Sequence, residues 1–129
     1  MKQQIQAATV PEPGAAYSQG VLAEGSQLLY ISGQVPVDEN GDLVGAGDMT
    51  AQARQVFENL QAQLCAAGAD FSHVVKLTIF VTDMDRFGEF SEVRSEYLQP
   101  PFPAASAVKV AGLVDPEWLV EVEAYAVLD

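Results

Sequence analysis

The sequence predicts an α+β domain: a mixed sheet of about six strands with two helices packed on one face, in the order β-β-β-α-β-α-β-β. Three observations lead there. Alternating or β-branched runs recur at residues 20–32, 73–82 and 105–127. Two stretches, 49–67 and 84–98, carry apolar residues at helical spacing instead. Turn chemistry separates these runs, with no repeat, linker or low-complexity tract, so residues 1–129 are expected to form one domain.

Each element has a local reason. Residues 2–9 are a short edge-strand candidate, and PEPGAAYSQG (11–20) is a loop by its Pro and Gly content. Residues 20–24 and 27–32 are expected as two strands joined by a tight turn at Gly25. Asn40-Gly41 signals a hairpin turn. Asp48 can cap the first helix, Val56, Leu60, Leu64 and Ala67 form its apolar stripe, and Gly68 can take the left-handed position beyond its end. HVVKLTIFVT (73–82) suits a central strand. Asp83 or Asp85 can cap the second helix, whose Phe87, Phe90 and Tyr97 lie near one face with Val93 beside them, and PPFP (100–103) stops it. Residues 105–113 and 118–127 are expected as the last two strands, around an Asp115-Pro116 turn.

The totals exclude several classes of function. Six Lys plus Arg against eighteen Asp plus Glu give a net charge of -12, which opposes binding to a phosphate backbone. No run approaches the roughly 20 apolar residues of a membrane span, and MKQQIQAATV lacks the apolar core of a signal peptide. The lone Cys65 permits neither an internal disulfide nor a thiolate metal cage, and fits a reducing cytoplasm. His73, the only histidine, is expected at the surface, and a metal site there has no second histidine to draw on. Gly45-Ala46-Gly47 is not a phosphate loop, and no nucleophile-elbow segment occurs.

The C-terminal run WLVEVEAYAVLD reads as a strand in which two acids, Glu121 and Glu123, interrupt an otherwise apolar run. Alternation places Val120, Val122, Ala124 and Ala126 on one face, suited to the helices, and Leu119, Glu121, Glu123, Tyr125 and Val127 on the other. Two helices cannot cover both faces, so the acidic face is expected against another copy of the chain. A carboxylate at such a seam is partly desolvated and either lines a cleft or pairs with a cation across the interface.

Four segments resemble the Rid (YjgF-type) family of reactive intermediate deaminases: AAYSQG (15–20), ISGQVPVDENG (31–41), VVKLTIFVTDMDRF (74–87), and FPAASAVKV followed by VEVEAYAV. The resemblance implies a chorismate-mutase-like fold and a homotrimer with three intersubunit clefts. It also implies hydrolysis of enamines or imines to a ketone or 2-oxo acid plus ammonia, with no metal or cofactor. By the same resemblance Tyr17, Ser32 and Glu121 are catalytic candidates, Glu121 handling the attacking water. Gly33, Phe87 and Ser91 match substrate-cleft positions. Ala105 and Ala107 stand where members of the family carry a carboxylate-gripping arginine and, in some, a cysteine.

That departure bears on substrate. Loss of an arginine fork from a desolvated site costs roughly 2–5 kcal/mol, or about 30-fold to several-thousand-fold in affinity. Lys109 shares the face of Ala105 and Ala107 but lies about 13 Å along the strand, and Arg86 and Arg94 are expected on the solvent side of the second helix. Poor activity on small 2-imino acids such as iminopyruvate follows. The rival reading is a non-catalytic binding or regulatory trimer of the same fold. RNA cleavage, attached to some relatives, is opposed by the charge and by the single histidine.

Overall fold

The computed structural model describes all residues, 1–129. Its elements are β1 (Lys2–Ile5), β2 (Gly20–Ala23), β3 (Gln27–Gln34), α1 (Met49–Ala66), β4 (Val74–Val81), α2 (Phe87–Tyr97), β5 (Ala104–Lys109) and β6 (Val120–Leu128). The α+β class and element order agree with the sequence.

The strands divide into two sheets. β1 and β2 pair antiparallel on their own, and the remaining four run in the order β3-β6-β4-β5. The turn at Gly25 therefore joins two sheets and is no hairpin. Its cause is steric: a side chain on residue 25 would collide with the Leu128 carbonyl, so Gly25 lets the chain cross the end of β6. The Asp115-Pro116 turn likewise does not pair its flanking strands. β5 lies parallel to β4 at the far edge, reached through α2 as the crossover that a parallel pair requires, while β6 inserts antiparallel between β3 and β4.

Both helices form where expected. The Asp48 carboxylate accepts from the Ala51 amide, and Gly68 adopts φ 76° past the end of α1, where Ala69 N–H closes on the Leu64 carbonyl. Asp83 caps a one-turn 3-10 segment, Met84–Arg86, that leads into α2. Val56, Phe57, Leu60 and Leu64 of α1 and Phe90 and Val93 of α2 bury against Leu77, Ile79, Val120, Val122, Ala124 and Ala126. Phe57 stacks on Tyr97 at 5.1 Å, which locks the two helices together. Leu119, expected on the acidic face, instead packs against this core, because it precedes β6 and is outside its alternation.

Gln52 is completely buried on α1 and is fully bonded: its amide donates to the Gly45 and Glu117 carbonyls and its oxygen accepts from the Leu119 amide. It ties the hairpin loop and the entry to β6 to the helix layer. The opposite sheet face has no cover. Tyr30 is 68% and Leu28 63% exposed there, with Val108 and Tyr125 also open, and Tyr30 meets Tyr125 edge-on at 5.4 Å.

Candidate active site

The expected site residues fall in two groups on opposite faces of one sheet. β6 pairs with β4 so that Glu121 stands beside Phe80 and Glu123 beside Thr78, on the uncovered face. β5 pairs with β4 so that Ala105 stands beside Leu77 and Ala107 beside Ile79, on the helix face. Within one chain Glu121 cannot meet Ala105.

The first group is Glu121 with Ser32 and Gly33. Pairing between β3 and β6 slips between Ile31 and Gln34, so residues 32–33 form an irregularity beside Glu121. The Glu121 carboxylate rests directly on Gly33, where any Cβ would overlap its oxygen. Burial, and secondarily the charge of Glu123, push the Glu121 pKa above the ordinary carboxylate value. Ser32 is exposed next to it, leaving its hydroxyl free toward the open face.

The second group lines a cleft of about 600 Å³ between α2 and the edge strand β5. Ala105 and Ala107 form its floor, Phe87, Gly88, Ser91 and Arg94 one wall, and Ala15, Tyr17 and Gln19 the other. Tyr17 is placed by its neighbour: Ser18 is buried, its amide donates to the Pro103 carbonyl and its hydroxyl to the Phe102 carbonyl. That pair fixes the 15–20 loop to the start of β5.

Arg94 corrects the expectation of a solvent-facing side chain. It is only 3% exposed, its guanidinium lies 5.7 Å from the Phe87 ring centre and 5.8 Å from that of Phe90, and its Nη2 donates to Ser91 Oγ at 3.2 Å. Residue 94 is seven beyond Phe87, two full turns, so the same stripe that carries Phe87 carries Arg94. The signal was present in the spacing; the habit of charged residues to face water pointed the other way. Arg86 does face outward, bonded to Glu89 and the Gly47 carbonyl, and Lys109 is exposed beyond the cleft. His73 is half-buried and its Nδ1 accepts from the Asp70 amide in a capping box. Cys65 is exposed. No group of three or more His, Cys, Asp or Glu side chains is arranged to hold a metal ion, and no helix is long and apolar enough to cross a membrane.

The chain thus carries a carboxyl group of raised pKa on one sheet face and a largely apolar cleft walled by an arginine on the other. The sequence profile of the family described as Endoribonuclease L-PSP matches residues 7–128, and the chain belongs to that family, the Rid or YjgF-type proteins. The chain is 41% identical over 117 residues to Protein DfrA of Myxococcus xanthus, covering 91% of this chain and 88% of that one. It is 37% identical over 123 residues to the rat 2-iminobutanoate/2-iminopropanoate deaminase, covering 95% and 88%. Among solved structures, the Rid family protein YyfB of Yersinia pestis superposes with a TM-score of 0.90 at 33% identity, covering 98% of both chains.

Proposed function

We propose that the protein is an enamine or imine deaminase, a hydrolase of C=N bonds that works as a cytoplasmic homotrimer without metal or cofactor. The 2-imino acid deaminases among its relatives support the reaction class. The observation that carries it is Glu121: a carboxyl group held above its usual pKa, seated on Gly33 at the sheet face that no helix covers.

The chemistry needs one proton carrier. The Glu121 carboxylate takes a proton from water as the water oxygen attacks the C=N carbon, then returns a proton to nitrogen. The resulting carbinolamine collapses as Glu121 carries the hydroxyl proton to nitrogen: the C–N bond breaks, the C=O bond forms, and ammonia departs. An enamine first takes a proton on carbon and gives one up from nitrogen, becoming the imine. Ser32 and the Gly33 backbone hold the water or amine, and Tyr17, Phe87, Ser91, Ala105 and Ala107 of a neighbouring protomer form the rest of the site. The exposed Tyr30, Leu28 and Tyr125 supply the apolar seam between copies. With Ala105 at the strand position, a small 2-imino acid such as iminopyruvate lacks a fork on β5 and meets repulsion from Glu121, so it is a poor substrate.

The test supplies 2-imino acids in situ from an amino-acid oxidase and follows 2-oxo acid formation. Acceleration by the wild type that Glu121→Gln abolishes supports the reading. Equal rates with both proteins, across imines of every side-chain size, would favour the rival that Ala105 suggests, a trimer that binds or regulates without catalysis.

A further inference from the structure

The helix-side cleft holds a cation that nothing in the chain neutralises. Arg94 offers five N–H donors; one hydrogen bond, to Ser91 Oγ, is made, and Nε has no partner at all. It takes part in none of the chain's ion pairs. The other arginines are spent, Arg54 on Glu96 and Arg86 on Glu89. Burial pushes the Arg94 pKa down, offset in part by the nearby Tyr17 hydroxyl, yet a guanidinium stays charged at neutral pH. An unpaired buried charge is costly, and the two phenyl faces beside it offset that only in part.

Ala105 and Ala107 explain why the charge is reachable. Larger residues at these two floor positions would fill the space in front of the guanidinium; alanines leave the cleft open to it. We propose that Arg94 is the anion anchor of this cleft, and that its ligand is a small amphiphilic carboxylate. The carboxylate sits on Arg94, and an apolar body lies along Phe87 and the Ala105–Ala107 floor. This rests on the deaminase reading only in taking that ligand as the substrate. An anchor on α2, set back from β5, favours 2-imino acids with bulky apolar side chains over iminopyruvate.

Calorimetry with phenylpyruvate, a 2-oxo acid of the product class, and phenylacetone, its neutral counterpart, tests the assignment. The wild type binds phenylpyruvate and not phenylacetone. Arg94→Gln weakens phenylpyruvate binding roughly 30-fold or more, the loss expected of a desolvated charge partner, while remaining a folded trimer. Glu121→Gln retains binding and loses turnover. Undiminished binding to Arg94→Gln, equal binding of both compounds, or no binding to the wild type overturns the anchor. So does dissociation of the Arg94→Gln trimer without loss of ligand affinity, which would make Arg94 the ion-pair partner of an acid in a neighbouring protomer. If Arg94→Gln does not fold, Ala107→Phe, which blocks the cleft and keeps the arginine, gives the same reading: retained binding overturns the anchor. Arg94-dependent binding without turnover of any imine would sink the deaminase reading alone; turnover independent of Arg94 would sink the anchor alone.

Discussion

The carboxylate of Glu121 occupies the space in which a side chain at Gly33 would stand. The two residues meet because β3 loses its regular pairing with β6 at 32–33, which opens the sheet just there. The φ of Gly33 is not in the left-handed region, so glycine is required for room and not for backbone freedom. Gly33→Ala is therefore expected to fold and to displace the carboxylate. Its kcat/KM on imines should fall about tenfold or more, since sub-ångström placement governs such steps, with little change in melting temperature. A lower melting temperature with unchanged kcat/KM would mean the contact is packing alone.

Glu121 has a defined effect on stability with pH. Its folded pKa is raised, first by burial and then by Glu123, so the folded state holds its proton more tightly than the unfolded chain. That favourable contribution is fully present below about pH 4, near the unfolded value, and is lost as pH rises through the folded pKa. Glu121→Gln should then melt higher than the wild type at pH 7 and lose this advantage in acid. Activity should show an acidic limb above the usual carboxylate range, moved downward by Glu123→Gln. Thermal melts and pH-rate profiles of the three proteins check both points.

The fold class was legible because period and turn chemistry agree in every long element: Asp48 and Gly68 bracket α1, and the alternation of β6 sorts Val120–Ala126 inward. Pairing was not legible. Nothing local to Gly25 distinguishes a hairpin from a crossing between sheets, because that choice is made by Leu128, more than a hundred residues away. The site was half legible. Glu121, Tyr17 and Ala105 follow from family resemblance and strand parity. Arg94 was misplaced because its charge argues for solvent while its spacing from Phe87 argues for the cleft, and only packing decides between them.

Gln52 shows the same limit. Among apolar neighbours a buried glutamine gives no signal until its three partners from distant segments are known. Gln52→Leu keeps similar bulk but leaves the Glu117 carbonyl and the Leu119 amide without a partner, while the Gly45 carbonyl keeps the Asp48 amide. At about 1–3 kcal/mol for a buried group left unsatisfied, the variant should lose roughly 3 kcal/mol in urea unfolding, with an unchanged slope.

Ala105→Arg should restore a strand-borne fork and raise kcat/KM on iminopyruvate, but two guanidiniums would then share one cleft. Their repulsion makes the gain larger when Arg94→Gln is added than in the single variant, a coupling that a double-mutant cycle reads directly. Strictly additive effects would place the two side chains apart.

In the proposed assembly each site joins Glu121 of one protomer to the helix-side cleft of another. Complementation between two inactive variants tests it most directly: Glu121→Gln, which removes the proton carrier, and Ala105→Trp, which fills the cleft. Each alone should be inactive. Co-assembled at equal amounts, random assortment pairs an intact Glu121 with an open cleft in about one site in four, so roughly a quarter of wild-type turnover should return. No recovery in verified mixed trimers, or a wild type that sediments as a single chain, would contradict the account.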